Sequence, residues 1–335
     1  MSSGSRPGLN PERLVQLMRS AVDRSQLDLS GYRVMTEAAS GAYAVTPVLA
    51  AMAGATVLAV ASTTKYATTE ELRGETNVLA ELAGVARHID LTVEKSHDMV
   101  ASADVITNSG QIRPIDEAMI SRMKVSAVIP IMYESWEFRS SDVDLACCRA
   151  RGIPVAGTNE RHPTVDVFSY LGLMAVKQLH DAGISVYRSR IILLCDNQFK
   201  PFIVHGLQSC GAEVVVSEQL TSDVLAGGCD AVLVAMHPTG QPVITDTDAR
   251  LLRDTVPGSV LVQYWGDADR RSLSAANIPV WPPEAPQQGH MAVLPSAIGP
   301  EPIVRLQAGG LKVGEILLRG LDRSSAEDRS LVQLL

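Results

Sequence analysis

Residues 190–217 read RIILLCDNQFKPFIVHGLQSCGAEVVVS. The opening RIILLC is an unbroken apolar run of β type, as a strand covered on both faces requires. Residues 201–210 follow as a helix stopped by Gly211, and residues 213–217 return as a second strand. Strand, helix and strand in so short a stretch make a βαβ unit, and with it a parallel sheet.

The same rhythm runs outward in both directions. Toward the C-terminus, residues 231–235, 259–263 and 279–281 read as strands, and Pro282-Pro283, Pro286 and Gly289 punctuate a long loop. Residues 301–321 form a last helix, expected to break or kink near Gly309-Gly310, and the polar tail from Asp322 is expected to fray. Toward the N-terminus, residues 164–182 read as a long connecting helix. Ahead of it, strands at 32–35, 56–61, 90–93, 104–107, 125–130 and 153–156 alternate with helices at 42–53, 70–82, 115–123 and 142–151, after a short helix at 11–22. The class is α/β: two doubly wound, Rossmann-like parallel-sheet domains with a cleft between them. The expected boundaries are an arm and helix over 1–30, a first domain over 31–160, a dinucleotide-binding-like domain over 161–300, and a tail over 322–335. The helix 301–321 is expected to pack back on the first domain.

Composition narrows the function. The 335 residues carry 29 Lys and Arg against 37 Asp and Glu, a net charge of −8, which argues against nucleic acid as a partner. No apolar run reaches the ~20 residues of a membrane span. The start, MSSGSRPGLNPER, lacks the apolar stretch of a signal peptide, so a mobile arm and a cytoplasmic protein are expected. Five cysteines, Cys147, Cys148, Cys195, Cys210 and Cys229, form no CxxC pair and have no His at ligand spacing, so neither a metal centre nor disulfides are expected. Aromatics make up only 4% of the chain, so the grouping of Tyr133, Trp136 and Phe138 marks a pocket wall or an interface.

In open parallel sheets ligands sit beyond the carboxyl ends of the strands, which directs attention to each strand-to-helix turn. The first turn, residues 36–44, is built of small residues, and Ser62-Thr63-Thr64-Lys65 after the next strand suits a phosphate. Asn108, Ser109, Gln111 and Arg113 form a polar turn in which Arg113 can hold a carboxylate, or an Asx-turn that caps the next helix. Tyr133 and Glu134 follow the strand 125–130. His162 beside Glu160 reads as an acid–base pair or as a helix-capping histidine. In the second half, Asp196 and Asn197 occupy the turn where a dinucleotide fold carries its glycines, and Glu218 ends the next strand, where an acid accepts ribose hydroxyls. His237-Pro238 and Trp265-Gly266 follow later strands, and His290 sits in the long loop.

Several of these stretches resemble the D-2-hydroxyacid dehydrogenase family: DVITNSG at 104–110, AVIPIMYESWEFRSSDVDLACCRARGIPVAGTNE at 127–160, and CDAVLVAMHPTGQPVITDTDARLLRDTVPGSVLVQYWGDADRRSL at 229–273. The resemblance is divergent. The family's glycine fingerprint is absent at 196–201, its catalytic Arg is absent beside Trp265-Gly266, and Pro295-Ser296-Ala297 stand where its catalytic His is expected. The resemblance implies NAD or NADP as cofactor, and a small carboxylated substrate in a specialised biosynthetic pathway. Separately, paired, symmetric Ala-rich faces make a homodimer an expectation. Under the resemblance, Arg113 would hold the carboxylate and His162 or His290 would move the proton. Two alternatives stand beside it. One is a transferase that binds a phosphate or S-adenosylmethionine at the first strand–helix turns. For this reading Arg161-His162-Pro163-Thr164 resembles a segment of the aspartate and ornithine carbamoyltransferases. The other is a degenerate member whose site is filled by its own side chains, Phe199 and Lys200 among them.

Overall fold

The structure, a computed structural model, describes residues 6–335. The chain divides into two compact units, one of residues up to Val167 together with Gly299–Leu335, the other Phe168–Ile298.

In the first unit β1 (Arg33–Glu37), β2 (Thr56–Val60), β3 (Ile89–Thr92) and β4 (Val105–Ile106) form a parallel sheet in the order β3-β2-β1-β4. A parallel bridge from Val105 to Val128 leads on to β5 (Ile129–Pro130) and its parallel neighbour β6 (Val155–Thr158). Successive residues of these strands enter opposite apolar layers. Val34, Val57 and Ala59 face one, and Met35, Leu58 and Ile106 the other. That two-sided burial is why the strands read as continuous apolar runs.

The second unit repeats the plan. Strands β7 (Arg190–Leu194), β8 (Glu213–Ser217), β9 (Ala231–Ala235), β10 (Val260–Trp265) and β11 (Val280–Trp281) form an all-parallel sheet in the order β11-β10-β9-β7-β8. From β7 the chain winds to β8 on one side and then crosses to β9 on the other, so the strand order reverses between β7 and β9. The helices Leu171–Asp181 and Lys200–Ser209 touch at Gly172 and Gly206. A Cβ on Gly172 would lie 2.6 Å from the Phe202 carbonyl oxygen and 2.7 Å from the Gly206 Cα. Only glycine at both positions permits that approach, which fixes the helix after β7 over the sheet.

The chain then returns to the first unit. The helix Glu301–Arg319 runs without interruption, so the expected break at Gly309-Gly310 does not occur. Those glycines serve packing instead: a Cβ on Gly309 would lie 2.5 Å from Val165 Cγ2, and one on Gly310 would collide with the Met132 sulfur. The tail does not fray either. Ala326–Leu331 is a helix, and β12 (Val332–Leu334) pairs antiparallel with β6. The connecting helix expected over 164–182 begins only at Leu171, because Asp166 takes a positive φ of 51° and Phe168–Tyr170 form a tighter turn. The helices expected at 115–123 and 142–151 shrink to Glu117–Ile120 and Leu145–Ala150, each starting where an aspartate, Asp116 or Asp144, caps it. No helix among the described residues is long and apolar enough to cross a membrane.

Candidate functional site

Two groups of polar residues gather at strand ends, one in each unit. In the first unit β5 and β6 end side by side, and the loops leaving them carry Glu134, Glu137 and Glu160. Glu134 is wholly buried. Its Oε1 accepts the Glu160 amide at 3.1 Å and lies 3.5 Å from Arg161 Nε, and its Oε2 accepts the Trp136 indole N–H. Glu160 is only 8% exposed, and its carboxyl makes no hydrogen bond among the described residues. Burial first, and then the charges of Glu137 and Glu134, hold Glu160 well above the ordinary carboxylate range. Burial and the charge of Glu134 push Glu137 up to about 7. Burial and mutual repulsion thus favour the protonated forms of Glu137 and Glu160.

Backbone approach holds this cluster together. A Cβ on Gly157 would lie 2.6 Å from the Ser135 nitrogen and 3.0 Å from the Tyr133 carbonyl oxygen, so β6 admits the Tyr133–Ser135 loop only because residue 157 is glycine. The Thr158 amide donates to the Tyr133 carbonyl at 2.9 Å. The C-terminal segment completes the frame: Gln333 Oε1 accepts the Ser135 amide at 2.8 Å, and Asn159 Nδ2 donates to the Ser330 carbonyl at 2.9 Å.

Beside this, the ends of β1 and β4 hold a polar seam. Thr107 Oγ1 lies 2.8 Å from Thr36 Oγ1 and 2.7 Å from Ser109 Oγ. Glu37 accepts the Gln111 amide at 2.9 Å while burial raises its carboxyl. Gln111 Nε2 donates to the Ala38 carbonyl at 3.0 Å. Asn108 Oδ1 accepts the Met132 amide at 2.9 Å, and its buried Nδ2 has no partner among the described residues. Arg113 gives one nitrogen to Asp142 at 2.9 Å, and Asp142 also accepts the Tyr133 hydroxyl at 2.7 Å. Burial and that bond to Asp142 raise the Tyr133 phenol. The other guanidinium nitrogens of Arg113 make no hydrogen bond among the described residues.

Other expectations come out differently. His162 and Glu160 are not a hydrogen-bonded pair. His162 is buried, and its Nδ1 accepts the Thr164 amide at 3.2 Å in a turn well ahead of the helix that starts at Leu171. The turn 62–65 spends its hydroxyls locally. Thr63 Oγ1 accepts the Thr69 amide at 3.2 Å, Thr64 Oγ1 accepts those of Tyr66 and Ala67 at 3.1 and 3.2 Å, and Ser62 Oγ donates to the Val93 carbonyl. In the first turn the Gly41 amide is bonded to Glu75 at 2.7 Å. The first turn thus spends its Gly41 amide on a carboxylate, as the turn 62–65 spends its hydroxyls on the chain itself. Among the described residues no group of His, Cys, Asp or Glu is placed to hold a metal ion.

In the second unit the reversal between β7 and β9 places Asp196 and Asn197 beside His237. Asp196 Oδ1 accepts the His237 amide at 2.8 Å, and Asn197 Nδ2 donates to the Ala235 carbonyl at 2.7 Å. Phe199 is buried and stacks on Trp265 with ring centroids 5.0 Å apart. His237 meets the same indole edge-on, also at 5.0 Å. Trp265 Nε1 donates to the Gly289 carbonyl at 3.1 Å, and Gly266 takes a positive φ of 94°. Pro238 is half-buried, and His290 is exposed in a turn of the loop after β11. Glu218, exposed at the end of β8, lies 3.5 Å from Lys200 Nζ. Arg270 pins that long loop, donating to Gln263 Oε1 at 2.6 Å and to the Pro282 carbonyl at 2.6 Å.

A dinucleotide fits this crevice in part. Glu218 offers a ribose an acceptor and Lys200 offers the phosphates a cation. The amides that would clasp the phosphates do not fit, because they are bonded within the loop: Phe199 N to Asn197 Oδ1 at 3.0 Å, and Lys200 N to the Asn197 carbonyl at 3.2 Å, with Pro201 following.

Sequence reasoning overlooked Glu37, Glu137, Asp142 and Gln333. Glu137 stood inside the aromatic stretch already singled out. Gln333 carried no signal, since nothing local marks the strand pairing that places it.

No family model matches the sequence, and no curated protein matches it. Solved structures do. A dipicolinate synthase chain from Bacillus halodurans shares 11% identity at a TM-score of 0.56, over 84% of this chain and 96% of its own. The corresponding dipicolinate synthase chain from Bacillus subtilis shares 11% at 0.55, over 91% and 99%. A transhydrogenase of Sinorhizobium meliloti shares 13% at 0.51, over 90% and 100%. Two parallel-sheet units in one chain therefore share the fold of these solved structures, at 11–13% sequence identity.

Proposed function

We propose that this chain is an NAD(P)-dependent oxidoreductase acting on a small carboxylated substrate. The observation that carries the reading is the strand order of the second unit. Its reversal between β7 and β9 brings Asp196, Asn197 and His237 to the kind of crevice where open α/β sheets bind nucleotides, with Lys200 in the same turn and Glu218 one strand away. The unpaired guanidinium nitrogens of Arg113 are the donors available to a carboxylate.

The proton falls to the first unit. Interconverting a hydroxyl and a carbonyl needs a group that is protonated near neutral pH and can give the proton up. Glu160 and Glu137 meet that need, and they take the place that the sequence reading gave to His162. A cytoplasmic homodimer remains the setting proposed for it. The transferase alternative has no observation in its favour, since the turn 62–65 is closed on itself.

Titration with NADH and with NADPH tests the reading. Nucleotide fluorescence should change, and the melting temperature should rise with ligand concentration as binding to the folded state requires. Absence of both responses up to millimolar nucleotide would sink it.

A further inference from the structure

Resting on that dinucleotide reading, we propose that Asp196 and Asn197 form a built-in stand-in for the phosphates, an intramolecular occupant that a dinucleotide must displace. The carboxamide oxygen of Asn197 accepts the Phe199 amide at 3.0 Å, and its carbonyl accepts the Lys200 amide at 3.2 Å. The carboxylate of Asp196 accepts the His237 amide at 2.8 Å from the neighbouring strand end. Three amides that converge on the strand reversal are thus taken by the chain's own oxygens, one of them charged. Pro201 removes the next donor of the helix Lys200–Ser209.

The occupant is anchored but exchangeable. Asn197 Nδ2 ties it to the Ala235 carbonyl at 2.7 Å and to Asp196 at 3.0 Å, yet Asp196 is exposed and Asn197 only half-buried. The aromatic frame under it is fixed, since Phe199 and Trp265 are 2% and 6% exposed. Turning the two polar side chains outward therefore frees the Phe199 and His237 amides with no opening of the core, while the Lys200 amide stays on the Asn197 backbone carbonyl as the first bond of the helix. Once they turn, Lys200 is the cation left to face a phosphate. Until then the Asp196 carboxylate repels any anion that approaches.

Asp196→Asn keeps the shape and the acceptor while removing the charge, and Asn197→Gly removes the carboxamide that holds the Phe199 amide. Calorimetric titration of the full chain with NADH, AMP and adenosine separates the possibilities, with circular dichroism melts confirming that both variants fold. D196N should bind NADH and AMP about tenfold more tightly than the wild type, with adenosine unchanged. N197G should tighten NADH and AMP as well. If NADH binds the wild type and neither variant tightens it, the stand-in is refuted and the dinucleotide reading survives. If adenosine tightens as much as AMP, the effect is one of space and the proposed mimicry of a phosphate is wrong. If no nucleotide binds any of the three proteins, both the reading and the stand-in fall.

Discussion

Replacing Glu137 with Gln raises the melting temperature at pH 8 by several degrees and leaves it nearly unchanged at pH 4. The sign follows from linkage. Glu137 is lifted in the folded chain from the ordinary 4.5 to about 7, so the folded state binds its proton more tightly than the unfolded state does. The stability tied to that proton is fully present below pH 4.5, is lost as pH rises toward 7, and is absent above it. A rise of that size corresponds to about 3 kcal/mol, reduced to roughly 2 kcal/mol by residual solvent. Gln copies the protonated carboxyl and never ionises, so the variant escapes the loss. Glu160→Gln moves in the same direction, because its carboxyl is raised by the same burial and by the same neighbours. The double variant should gain less than the sum, since removing one charge relieves the other. Thermal melts across pH 4 to 8 decide the matter. A difference between variant and wild type that does not open between pH 4.5 and 7 would mean that the cluster keeps no proton.

The proton-holding cluster was only half legible in the sequence, and the reason is physical. Parallel strands buried on both faces write themselves as apolar runs, so RIILLC and TVLAVA marked their sheets without ambiguity. Glu160 and Glu134 were found because each follows such a run. That they act with Glu137 depends on the contact of two loops 26 residues apart in the chain, at the Glu160 amide and Glu134 carboxylate, and no local pattern encodes it. The C-terminal strand escaped notice for a similar reason. Val332–Leu334 is too short to announce itself, and its strand character comes from pairing with β6. Gly309-Gly310 misled in the opposite sense. Their poor helix propensity is overruled by a face that must lie flush against Val165 and Met132. His162 was placed by type, and the turn bond it accepts from the Thr164 amide could be seen only in three dimensions.

Gly157→Ala is expected to cost about 2–3 kcal/mol and to erase the pH signature of the cluster with it. The added methyl meets backbone, the Ser135 nitrogen at 2.6 Å and its Cα at 3.0 Å, so no rotamer change can make room. The loop must lift from β6. Lifting breaks the Thr158 amide's bond to the Tyr133 carbonyl and the Ser135 amide's bond to Gln333, and it lets water reach Glu134 and Glu137. The Glu137 carboxyl then returns toward ordinary behaviour, so Gly157→Ala combined with Glu137→Gln should show little of the pH 8 gain that Glu137→Gln shows alone. Gly74→Ala is the matched control. It lies in the helix Thr69–Ala83 with nothing within 4 Å of the new methyl, and should gain up to about 1 kcal/mol from helix propensity alone, at every pH. Opposite signs for the two glycine substitutions, with the pH term lost only at residue 157, would tie the proton held by these carboxyls to one backbone contact. If Gly157→Ala lowers stability and leaves the pH term intact, the contact supports the fold and the carboxyls are held by something else.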